Sequence, residues 1–143
     1  MSQYPRSTTQ LTIPPDRRET RFGRILIVET NPAMAELAAL LLTKAGHEAT
    51  ATATAHDALT VSRFWHPDLV LLELALPDIS GTHLCRQLRR RTPVPVIASS
   101  LDSDPEQISA VYAAGACDYL PKPFRASVLL ERIHVCLGPA ARA

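Results

Sequence analysis

A chain of 143 residues with 46% hydrophobic and 20% charged side chains is long enough for one well-filled core and excludes a disordered or fibrous class. Fifteen basic against fourteen acidic side chains leave a net charge of +1, which excludes a global attraction to nucleic acid or to an anionic membrane. Three widely spaced cysteines, Cys85, Cys117 and Cys136, form no C-x-x-C pair, so neither a disulfide framework nor a zinc site is expected. They read as small core fillers, with Cys117 the least secure because its neighbours are polar. A reducing cytoplasm fits this usage, and no apolar run is long or uncharged enough to span a bilayer. Thirteen of the fifteen cations are Arg, which together with the many alanines points to a GC-rich bacterial genome.

Residues 1–21 carry Ser7, Thr8, Thr9, Pro14 and Pro15 among unpatterned charges, a composition that reads as a flexible tail. From residue 22 to 138 short apolar runs alternate with amphipathic stretches, the order of βα units around a parallel sheet. "RILIV" reads as a buried strand, followed by Asn31 as N-cap and Pro32 at the first helical position, with Gly46 stopping the helix. "HEATATA" is a second strand, and Thr54 with Asp57 opens a helix that Pro67 ends. "DLVLLEL" is the third strand, and Ser80 caps a helix to about Arg91. "VPVIAS" is the fourth, and a helix capped by Asp104, with Gln107 placed to complete the cap, closes at Gly115. "CDYL" is the fifth strand, and the last helix runs from about Arg125 to Leu137, leaving residues 139–143 as a short tail.

Five strands and five helices in strict alternation predict an α/β doubly wound parallel sheet. In such sheets active groups gather at the carboxyl ends of the strands, beside the point where the winding reverses. With strand order 2-1-3-4-5, Glu29 after the first strand and Glu73 at the end of the third face each other there. Two close carboxylates resist joint ionisation unless a cation is near. Lys122, after the fifth strand, is the expected cation, and the Ser100 hydroxyl after the fourth an expected donor.

The segments "ILIVETNPAMAELAALLLTKAGHEATATATAHDAL", "PDLVLLELALPDISG", "PVIAS" and "GACDYLPKPF" resemble the receiver domain of bacterial two-component response regulators, over residues 24–137. The resemblance implies a flavodoxin-like α/β sandwich in which an aspartate accepts a phosphoryl group from a histidine kinase, with Mg²⁺ held by acidic residues. The phosphoacceptor position falls on Glu73. The two acidic residues that end the first strand in the family are here Glu29 and Thr30, so one metal-ligand position has lost its charge. Ser100 and Lys122 match the hydroxyl and the lysine that contact the phosphoryl group, and Tyr119 matches an aromatic switch position.

Magnesium demands near-octahedral oxygen ligands at about 2.0–2.1 Å, and Thr30 offers only a neutral oxygen. Metal binding is therefore expected to be weak or absent. The extra methylene of Glu73 displaces its oxygens by roughly 1.3–1.5 Å, and a misplacement near 1 Å costs on the order of a hundredfold in rate. The leading expectation is a phosphorylation-independent receiver-like module, not an enzyme, in which Glu73 pairs with Lys122 and Ser100 and locks an active-like or an off state. A phosphotransfer protein with an unusual acceptor and a small-ligand sensor in the degenerate pocket are the alternatives.

The resemblance assigns output to the face made by the fourth helix, fifth strand and fifth helix, with a protein partner there. Family members that dimerise through it use charged pairs; Asp118 and Arg132 remain here, while Val128 and Cys117 stand at positions often acidic, which weakens that route to a homodimer. Tyr112, Val111 and Tyr119 offer an alternative apolar patch. The cations of "RQLRRR" complement a helix terminus, and the five histidines show no metal-ligand spacing. Trp65 is expected to cover the end of the second helix. No direct DNA contact is expected, since the residues after 137 are too few for a helix-turn-helix.

Overall fold

The computed structural model describes residues 22–102 and 104–139. The tail expected at 1–21 and most of that at 139–143 lie outside the described residues. Strands β1 (Arg24–Val28), β2 (Glu48–Thr52), β3 (Leu69–Glu73), β4 (Val96–Ser100) and β5 (Asp118–Pro121) alternate with helices α1 (Pro32–Lys44), α2 (Ala55–Trp65), α3 (Gly81–Arg91), α4 (Pro105–Ala113) and α5 (Ala126–Leu137). All pairings are parallel, in the order β2-β1-β3-β4-β5.

Four of the five helices start where a side chain takes up a free N–H group at the first turn. Asn31 accepts from Met34 N–H ahead of Pro32, Thr54 from Asp57 N–H, Ser80 from His83 N–H and Asp104 from Glu106 N–H. Arg125, at the corresponding position of α5, supplies no such bond. After α1 the chain turns at Gly46, whose φ of 103° suits glycine.

The central strands β1, β3 and β4 are apolar over most of their length because helices cover both faces of the sheet. Alternation then sorts their residues between two layers. Leu26, Val28, Val70, Leu72, Val96 and Ala98 pack with Ala58, Leu84, Leu88 and Val111 of α2, α3 and α4. Ile25, Ile27, Leu69, Leu71 and Ile97 pack with Ala38 and Leu42 of α1 and Leu129 and Ile133 of α5. Each large side chain so buried contributes about 1.5–3 kcal/mol.

β2 is shorter than "HEATATA" and half exposed, as an edge strand is. His47, just before it, is buried, and its Nδ1 accepts the Gly23 N–H at 3.1 Å. Burial pushes this imidazole below the usual histidine value. Trp65 packs against the layer of α2, and its carbonyl accepts from Arg24.

The cysteines require a correction. Cys85 is a core filler and Cys136 packs half-buried against the layer of α1 and α5, but Cys117 is exposed and is disulfide-bonded to Cys136, their Cα atoms 6.3 Å apart. Nothing in the spacing announces this pair, because it arises from α5 folding back beside β5.

Candidate functional site

The register brings three charged side chains from the ends of three separate strands to one point. Val28 lies opposite Leu72, so Glu29, immediately beyond β1, sits next to Glu73, the last residue of β3. Lys122 follows β5, and its backbone N–H is fixed on the Ser100 carbonyl at 2.9 Å. Its side chain reaches past β4 and places Nζ between the two glutamates, donating to Glu29 Oε1 at 2.5 Å and to Glu73 Oε1.

These side chains are only 8–11% exposed, so charges left unpaired here would be strongly disfavoured. Burial alone would push Lys122 down, but the hydrogen bonds to Glu29 and Glu73 and their charges outweigh it and hold the ammonium above its usual value. The outer carboxylate oxygens are occupied as well. Glu29 Oε2 accepts Asn31 N–H at 3.0 Å, and Glu73 Oε2 accepts Ala75 N–H at 2.9 Å.

Thr30 is exposed and donates its hydroxyl to the Ala75 carbonyl at 3.1 Å, tying the β1–α1 loop to the β3–α3 loop. Ser100 is buried, but its hydroxyl accepts Asp102 N–H at 3.0 Å. The pairing expected between Glu73 and Ser100 is therefore corrected: the Glu73 oxygens are held by Lys122 and by the backbone of Ala75. Ser99, opposite Glu73 in the ladder, donates its hydroxyl to the Leu120 carbonyl at 2.6 Å.

Two residues at the junction of β3 and α3 take roles that the sequence pattern does not assign. Asp78 accepts Ala55 N–H at 3.0 Å and His56 N–H at 2.9 Å, so it caps α2 from a distant segment, and those bonds hold its carboxyl below the usual range. Gly81 lies so close to the end of β3 that a Cβ would meet Glu73 O and Leu74 Cα at 2.6 Å. The glycine in "PDISG" was the available signal for that approach. Asp78 had none, since its partners lie more than twenty residues away.

A divalent cation does not fit these residues. The Lys122 ammonium lies between the two carboxylates, and Thr30 offers only a neutral hydroxyl oxygen beside them. Among the described residues no group of three or more His, Cys, Asp or Glu side chains is placed to hold a metal. The adjoining cavity, lined by Met34, Ala38, Leu71 and Phe124 with the charged trio, has about 20 Å³, room for about one water molecule.

At the other end of β5 the polar groups are also paired internally. Tyr119 is 8% exposed, and its hydroxyl donates to the Asp102 carbonyl at 3.0 Å. Its N–H is taken up by Tyr112 Oη at 3.0 Å and Asp118 Oδ1 at 2.8 Å. Arg132 donates to Asp118 Oδ2 at 2.7 Å. The apolar patch expected from Tyr112, Val111 and Tyr119 does not form, because Val111 and Tyr119 are buried and only Tyr112 is exposed. Desolvation, then the Asp118 charge, pushes the Tyr112 phenol up.

A doubly wound sheet with carboxylates after β1 and on β3, a hydroxyl on β4 and a lysine after β5 defines a signal-receiving α/β module. This chain belongs to the response regulator receiver domain family, whose model matches residues 25–134. It is similar to the sensory transduction protein RegX3 of Mycolicibacterium smegmatis, 41% identical over 82% of this chain and 51% of the relative. It is 34% identical to the DNA-binding response regulator MtrA of the same organism, over 83% of this chain and 52% of the relative. The chain thus spans about half the length of the curated relatives it matches. Among solved structures, a CheY-like receiver domain protein from Methanospirillum hungatei superposes with a TM-score of 0.79 at 30% identity, covering 82% of this chain and 94% of that one. The BeF₃-activated receiver domain of DrrB superposes at 0.75 with 29% identity, covering 82% and 98%.

Proposed function

We propose that this receiver works without phosphorylation, as a cytoplasmic protein-binding module of bacterial two-component-type signalling held in one state by its own charges. The observation that carries this reading is the Lys122 ammonium between Glu29 and Glu73, where an acceptor carboxylate would otherwise be open to an incoming phosphoryl group. One Glu73 oxygen is bonded to Lys122 and the other to Ala75 N–H, so each already carries a hydrogen bond that holds its orientation and lowers its nucleophilicity. In-line attack also needs close alignment, which the longer side chain disturbs. The poor fit of the site to Mg²⁺ removes the usual charge neutralisation for that step.

Output in this reading passes through α4, β5 and α5 to a protein partner. The pairing of Asp118 with Arg132 inside the chain leaves fewer free charges for a symmetric homodimer. The module carries no catalytic activity of its own.

Intact mass after incubation with acetyl phosphate and Mg²⁺ tests the proposal, comparing the native chain with Glu73→Asp and with Glu73→Asp/Thr30→Asp. The native chain should gain no phosphoryl mass and the double variant should gain one. Uptake by the native chain would overturn the proposal and make Glu73 or a neighbour a working acceptor.

A further inference from the structure

Two of the three sulfurs stand outside the pocket, on the α5 and β5 face to which the proposed function gives partner binding, one of them exposed and the other packed half-buried at the edge of the core. Cys117 immediately precedes β5 and is exposed, and Cys136 lies in the last turn of α5 and is half-buried. We propose that they form a reversible thiol–disulfide switch, closed by a hydroperoxide and reopened by a dithiol, that clamps the end of α5 to β5.

The backbone around the pair is positioned without help from the bond. Cys117 N–H donates to Val96 O at 2.8 Å, extending the parallel ladder, and Ile133 and Leu137 anchor α5 in the core. Arg132, one turn before Cys136, is bonded to Asp118, the neighbour of Cys117. Two cross-links therefore lie side by side between the same two elements. The Cα separation of 6.3 Å is within the range a disulfide spans, so reduced thiols held by these contacts face one another ready to react.

Access separates the roles. The Cys117 sulfur meets the hydroperoxide first: its thiolate attacks one peroxide oxygen, the O–O bond breaks, and the departing oxygen takes a proton. The Cys136 sulfur then attacks the sulfenic acid on Cys117, the S–O bond breaks, and hydroxide leaves as water after taking the second thiol proton. Two thiols lose two electrons in total, and hydrogen peroxide is reduced to two waters. Cys85 is the internal control. It is fully buried, its thiol donates to Ala114 O at 3.7 Å, and burial pushes it away from the reactive thiolate form.

The switch itself stands apart from the phosphorylation reading; only its effect on signalling rests on α4, β5 and α5 being the partner surface. The test treats the reduced full chain with hydrogen peroxide and follows intact mass and amide hydrogen exchange. The native chain and Cys85→Ser should lose the mass of two hydrogens as monomers and regain it with dithiothreitol. Cys117→Ser and Cys136→Ser should fail to lose it, and Cys136→Ser should accumulate one oxygen that dimedone captures on Cys117. Closing the pair should slow exchange in the last turn of α5 about tenfold. Oxidation of the native chain only to intermolecular dimers or sulfinic acid, or equal exchange in both forms, would overturn the switch. None of these outcomes depends on acetyl phosphate, so failure here leaves the phosphorylation test intact.

Discussion

The two ends of β5 solve the problem of holding charge in different ways. Past its carboxyl end, Lys122 and two glutamates share an interior where their side chains are at most 11% exposed. At its amino end, Asp118 and Arg132 meet nearer the surface, with side chains 18% and 41% exposed. In the first place each charge needs its partner, and removing one leaves others stranded; in the second, water stands ready to replace either. In the function proposed above, a pocket wired like the first holds one setting, whereas a face wired like the second is adjustable.

The largest break in that contrast is Lys122→Met. It strands Glu29 beside Glu73 and should lower stability by about 3–5 kcal/mol in urea unfolding, while adding Glu29→Gln and Glu73→Gln should recover part of the loss. If the single variant melts like the native chain, the trio is not a structural lock. The same residue sets an alkaline limit. Because its folded value lies above the ordinary one, its stabilisation is complete below the unfolded value of about 10.4 and is lost as pH rises through the folded value. Thermal melts of the native chain should therefore decline above that pH more steeply than those of Lys122→Met.

A smaller effect is expected between the two ends. Tyr119→Phe removes the bond to the Asp102 carbonyl and should cost about 1 kcal/mol, read by the same unfolding experiment. The smallest belongs to the exposed pair. Arg132→Ala should change stability by less than about 1 kcal/mol. A loss as large as that of Lys122→Met would abolish the distinction between the two ends.

Much of this architecture was legible before any coordinates. The unbroken apolar runs of β1 and β3, the Asn31-Pro32 start and the Gly46 stop are local signals, and strand order alone carries Glu29, Glu73 and Lys122 to one edge. What could not be read depends on contacts between segments far apart in the chain. Asp78 looks like a loop aspartate until the fold brings Ala55 and His56 to it. Ser100 was expected to bond the pocket because it sits at the right strand, yet its hydroxyl is taken up by its own loop. Cys117 and Cys136 become neighbours only through the docking of α5, which leaves no periodic trace.

The second oxygens of the glutamates add one more consequence. Glu29 also grips the backbone at Asn31 and Glu73 grips it at Ala75, while Lys122 is the first residue beyond β5. Kinematically, a single nitrogen is the common joint of three loops that are far apart along the chain. With the joint intact, moving any one of these segments strains the hydrogen bonds that hold the other two.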